Sequence, residues 1–152
     1  MPRKRVERER PSRYAVKAPD VLLSNWVGDV YEHWRDRDPS YELVANAVRH
    51  EVLGRLNELK SNVQRILRGD KIDHVQQVRT LEAARLLLYG RDLDYRRQVN
   101  LTPPDKVPPE PDLATAESVI ANLTNQIANM PVSEWRSKLD VLRDEIDPGG
   151  QG

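Results

Sequence analysis

Residues 39–99 read PSYELVANAVRHEVLGRLNELKSNVQRILRGDKIDHVQQVRTLEAARLLLYGRDLDYRRQV. Leu43, Val44, Ala47, Val48, Val52, Leu56, Leu59, Val63 and Ile66 recur at three- and four-residue steps, the spacing that keeps side chains on one face of a helix. The pattern spans about thirty residues, or about 40–45 Å of helix. It stops at Gly69, a residue suited to the left-handed backbone beyond a helix end. Asp38-Pro39-Ser40 is the expected start: Asp38 can cap, and Pro39 at the first helical position loses no hydrogen bond, because that N–H is an orphan anyway. Past Gly69-Asp70, the residues Ile72, Val75, Val78, Leu81, Arg85 and Leu88 trace a second stripe, broadened by Leu86, Leu87 and Tyr89. This helix is expected to pass Gly90 with a kink and to continue through Leu93 and Tyr95 to Val99. Two long amphipathic helices joined by so short a turn lie antiparallel. That hairpin makes the fold class all-α.

Working outward, the hairpin is preceded by a shorter helix. Leu23, Val27, Val30, Tyr31 and Trp34 define its stripe, with Asp20 as the expected cap and an end near Arg37. Gly28 weakens this helix by roughly 1 kcal/mol relative to Ala. Residues 100–112 hold five prolines and read as an extended, semi-rigid linker. Asp112 then caps a helix carrying Ala116, Val119, Ile120, Leu123, Ile127 and Met130 and ending at Pro131. Ser133 is the expected cap of a last helix with Trp135, Leu139, Leu142 and Ile146, ended by Pro148. The expected organisation is therefore a flexible basic arm (1–18), a helical domain with the central hairpin (19–99), the Pro-rich linker (100–112), a C-terminal two-helix module (113–147) and a tail (148–152).

Composition narrows the class. The 152 residues are 38% hydrophobic and 32% charged, and Phe and Cys are both absent. Without cysteine there are no disulfides, thiolate metal sites or cysteine nucleophiles, and a reducing, cytoplasmic compartment is expected. No apolar run is long enough for a membrane span. A chain this polar has a thin core for its length, and long helices with thin cores complete their burial against copies of themselves. A homo-oligomer is therefore expected, in ring form, with Val48, Val52, Leu56, Leu59 and Val63 at the interface and Trp26 and Trp34 as anchors.

The net charge of zero conceals an asymmetry. Residues 1–17 carry seven cations (Arg3, Lys4, Arg5, Arg8, Arg10, Arg13 and Lys17) against Glu7 and Glu9, a net +5. Residues 100–152 carry four cations and nine carboxylates, a net −5. A cationic arm of this density can follow a phosphate backbone, with affinity that falls steeply as salt rises. Arg91, Arg96 and Arg97, near Tyr89 and Tyr95, offer secondary phosphate contacts, although the helix dipole alone would favour cations at that position.

Catalytic signals are missing. His33, His50 and His74 fall on different helices without paired metal spacing, and the Asp29/His33 pair is more simply a solvated face. Neither Gly-x-Ser-x-Gly nor a Gly-rich phosphate loop occurs. We expect no enzyme, no metal and no cofactor.

The layout of a basic N-terminal region followed by the hairpin Pro39–Arg68 and Asp70–Val99 resembles the small terminase subunits of tailed bacteriophages. So does Glu82-Ala83-Ala84-Arg85-Leu86-Leu87-Leu88 leading to Leu101-Thr102-Pro103-Pro104. The resemblance covers residues 1–104. It implies a ring-forming all-α protein that recognises viral DNA and hands it to a larger packaging subunit, here through residues 113–147. Many members carry a compact helix-turn-helix ahead of the hairpin, and this sequence does not show one, so the arm is the expected DNA contact. The competing expectation is a helical scaffold or adaptor acting only through protein–protein contacts.

Overall fold

The computed structural model describes residues 18–34, 40–106 and 109–146. Six helices lie among them: α1 (Ala18–Trp34), α2 (Tyr41–Leu67), α3 (His74–Tyr89), α4 (Leu93–Leu101), α5 (Leu113–Ala128) and α6 (Val132–Ile146). The fold is all helical, as the periodicity predicts. No helix among the described residues is long and apolar enough to cross a membrane.

Local sequence explains most of the helix ends. Gly69 has φ +80°, the Gly69 N–H donates to the Ile66 carbonyl, and the Asp70 N–H donates to the Arg65 carbonyl, so the orphan carbonyls of α2 are satisfied by a left-handed turn. Five boundaries differ from expectation. The cap of α2 is Ser40, whose hydroxyl accepts from the Leu43 N–H at 3.2 Å; Asp38 and Pro39 lie outside the described residues. Asp20 sits in the first turn of α1 rather than capping it, and α6 begins at Val132, placing Ser133 inside its first turn. The largest difference is in the second hairpin arm. Residues 70–73 are not helical, Asp73 caps α3, and the helix stops at Gly90 instead of bending through it.

Asp112 caps α5 as expected. Its carboxylate accepts from the Thr115 hydroxyl at 2.8 Å and from the Thr115 N–H at 3.2 Å. These hydrogen bonds favour the ionised form and hold the pKa below the usual carboxylate value. A folded pKa below the unfolded one means the cap contributes fully above about pH 4 and is lost as pH falls through the folded value. Asn caps as well as Asp but does not titrate. Asp112→Asn should therefore lose less Tm than the parent chain on acidification below about pH 4, measured by parallel thermal melts. Identical acid dependence in both proteins would remove this carboxylate from the account.

Packing places the long α2 at the centre. One continuous apolar cluster runs from Leu23 and Val27 on α1 through Val48, Val52, Leu56 and Val63 on α2 to Leu87 on α3, Ile120 and Ile127 on α5, and Trp135 and Leu139 on α6. The most extensive partner of α2 is α5, ahead of its hairpin partner α3, while α1 packs against both α3 and α6. The C-terminal pair therefore does not stand apart as a module. It docks on the chain's own hairpin, and its stripe residues Ala116, Ile120, Leu123, Ile127, Trp135, Leu139 and Leu142 are buried there.

That docking corrects the expected subunit interface. Val48, Val52, Leu56 and Val63 are fully buried and Leu59 nearly so, all within one chain, leaving no surface there for a second copy. The core is not thin, because α5 and α6 supply the missing cover. Trp26 is half-buried against the same cluster; the Trp34 side chain lies outside the described residues.

Polar contacts fix the docking. The Trp135 Nε1–H donates to the Ala45 carbonyl at 2.9 Å, and the Arg49 guanidinium lies 5.6 Å from the Trp135 ring centroid. Arg49 Nη1 also donates to the Met130 and Ile127 carbonyls at 3.0 and 3.3 Å, satisfying the end of α5. Lys138 Nζ meets the Asp20 carboxylate at 2.7 Å, Arg136 pairs with Glu42, and the Arg143 guanidinium lies 4.5 Å from the Tyr31 ring centroid. Burial lifts the Tyr31 phenol above its ordinary pKa against the opposing pull of Arg143.

Candidate nucleic-acid interface

The interruption at Gly90 opens a cleft. Gly90 has φ +54° and ψ −113°, a conformation open to glycine and strained for side-chain-bearing residues. Its position allows close approach as well: a Cβ placed there would stand 3.0 Å from the Ala18 Cα. The chain turns, Asp92 caps α4 by accepting from the Tyr95 N–H at 3.1 Å, and nine helical residues follow, none of them buried. Because α4 leaves α3 at this corner, a cleft of about 690 Å³ opens between them.

Its lining comes from α3, α4 and the corner between them, and the returning linker braces two of the lining residues. Tyr89, at the end of α3, stacks on Tyr95 of α4 with ring centroids 4.0 Å apart and an interplanar angle of 22°. The Tyr95 hydroxyl donates to the Pro109 carbonyl at 3.0 Å, and Arg85 Nη2 donates to the same oxygen at 3.3 Å. Arg85 also pairs with Glu82 at 3.4 Å. Arg96 and Arg97 line the cleft and are exposed, and Leu101 forms part of its rim at 74% exposure. Arginines outnumber carboxylates in the lining by three to one, with Arg85, Arg96 and Arg97 against Glu82.

The expected contact residues divide into three groups. Arg3, Lys4, Arg5, Arg8, Arg10, Arg13 and Lys17 lie outside the described residues. Arg96 and Arg97 are brought together with the tyrosine pair. Arg91 falls on the Gly90 turn, half-buried, and does not line the cleft. Arg85 was hidden in the sequence as a member of an inner apolar stripe. The signal was present all the same, since a guanidinium four residues beyond Leu81 on a buried face needs a polar partner. That partner is a proline carbonyl 24 residues further along the chain.

Ala18, to which residues 1–17 are attached, packs against Gly90, and Gly90 itself lines the cleft. Among the described residues no three His, Asp or Glu side chains gather as a cation site would require. Comparisons with family models, with curated proteins and with solved structures find no match for this chain.

Proposed function

We propose that this chain is a non-enzymatic DNA-binding protein that works as an oligomer, of the phage-packaging type that its hairpin layout resembles. The reading is supported by seven cations among residues 1–17 of the sequence and by a cleft lined with Arg85, Arg96 and Arg97. Phosphate contacts of this kind give affinity without base reading, and arms presented together by several subunits add their effects.

Assembly, in this reading, uses surface other than the inner stripe of α2, which the chain covers itself. Val75 and Val78 share one face of α3 at 52% and 45% exposure and supply apolar area for a neighbouring copy. Contact with a larger packaging subunit falls to the outer face of α6, where Glu134 and Val141 are exposed. The rival adaptor reading would likewise have to use the outer faces of α5 and α6, since the apolar face of residues 113–142 is covered within the chain.

Binding to a fluorescent DNA duplex across a salt series tests the proposal. Removing residues 1–17 should weaken binding at least tenfold at low salt and flatten the slope of log affinity against log salt by about 0.9 for each phosphate that the arm had neutralised. Unchanged affinity and slope would eliminate the arm as the DNA contact. Light scattering of the full chain decides the oligomer, and a clean monomer would end the ring reading.

A further inference from the structure

The lining of the α3–α4 cleft is richer than a phosphate contact needs. A phosphate backbone asks only for cations, yet this cleft joins Arg96 and Arg97 to the stacked pair Tyr89–Tyr95, the exposed Leu101 and the amide of Asn100. The two acidic residues at the start of α4, Asp92 and Asp94, are not part of the lining, and the single lining carboxylate, Glu82, is paired with Arg85. About 690 Å³ lies within the range of small-molecule sites, roughly 300–1,000 Å³.

We propose that this cleft takes one unpaired nucleotide, its base against the tyrosines and Leu101 and its phosphate on Arg96 and Arg97. A flat apolar face beside a charged group is the chemistry of a nucleotide, and aromatic stacking requires a base whose face is exposed, as in a single strand and not inside a duplex. Asn100 carries both a donor and an acceptor, and so can meet a base edge. The Tyr95 hydroxyl and Arg85 anchor the wall to the Pro109 carbonyl, so the stacking surface is held in place before a ligand arrives. The inference goes beyond duplex binding through the arm and does not depend on it. The same chemistry is offered by a free nucleoside monophosphate and by a residue within a strand.

The test uses the full chain, the exposed double variant Arg96→Gln/Arg97→Gln and four probes: a twelve-residue single-stranded oligonucleotide, an abasic strand of equal length, the blunt duplex and adenosine monophosphate. The double variant should bind the single strand about tenfold more weakly, with a salt slope flatter by about 1.4, and the duplex more weakly as well, since the same cations meet its phosphates. The abasic strand should bind the unaltered chain about tenfold more weakly than the normal strand, because it offers no base to stack. Movement of α4 amide resonances by adenosine monophosphate assigns the site to free nucleotides; movement only by the oligonucleotide assigns it to strands. The proposal is overturned if the double variant loses no single-strand affinity, or if the abasic strand binds as well as the normal one. Failure of arm removal to affect duplex binding sinks the DNA reading alone and leaves this result standing.

Discussion

Trp135→Ala should lower the free energy of unfolding by about 3–5 kcal/mol, the usual cost of emptying a fully buried aromatic position. Trp135 is 0% exposed and joins three parts of the molecule. Its ring fills the space between α6 and α2, its Nε1–H donates to the Ala45 carbonyl, and Arg49 lies over its face while also holding the end of α5. Truncation leaves a cavity and takes away the cation's aromatic partner. Trp135→Phe retains most of the apolar volume and removes the indole donor, so about 1–2 kcal/mol is expected. Urea denaturation of the three proteins gives the comparison. A loss under about 1 kcal/mol for the alanine variant would mean that the C-terminal pair is not part of the cooperative core.

Gly90→Ala should cost about 2–4 kcal/mol, through two separate causes. The φ of +54° with ψ −113° strains any residue with a Cβ, and that atom would stand 3.0 Å from the Ala18 Cα and 3.2 Å from the Ala18 Cβ. A backbone atom cannot rotate away as a flexible side chain can, so α1 or the α3–α4 corner must shift. Adding Ala18→Gly to this variant removes the second contact but neither the first nor the strain, so recovery should be partial. Full recovery would place the whole cost in the Ala18 methyl, and unfolding equal to that of the parent chain would refute the close approach. The corner also orients α4, so in the nucleotide reading single-strand binding weakens in the same variant.

Much of the fold was legible because helices are local. The steps of three and four from Val44 to Ile66 identify the face of α2 that is buried, and Gly69 and Asp112 terminate and cap their helices through groups a few residues away. The errors arose where two local solutions compete. Asp38 and Ser40 are both good caps, and only the extended backbone at Ser40, with its hydroxyl on the Leu43 N–H, distinguishes them. Gly90 is tolerable inside a helix and also suited to a sharp turn. The turn occurs where Ala18, distant in sequence, packs against it.

The candidate site was legible only in part. Arg96, Arg97, Tyr89 and Tyr95 stand out as cations among aromatics, but nothing local shows that the two tyrosines stack or that Arg85 belongs with them. The turn at Gly90 and the return of Pro109 bring them together.

By itself, then, the sequence determined that the chain is helical, which face of each helix is apolar and how charge is distributed, since these follow from spacing and composition. What covers those faces was decided by tertiary structure. The stripe Val48–Val63 reads equally well as a subunit interface or a monomer core, because apolar area is non-directional and carries no address. Its partner was settled by contacts such as Arg49 to the Met130 carbonyl, Trp135 to Ala45 and Lys138 to Asp20, which join residues 81, 90 and 118 positions apart.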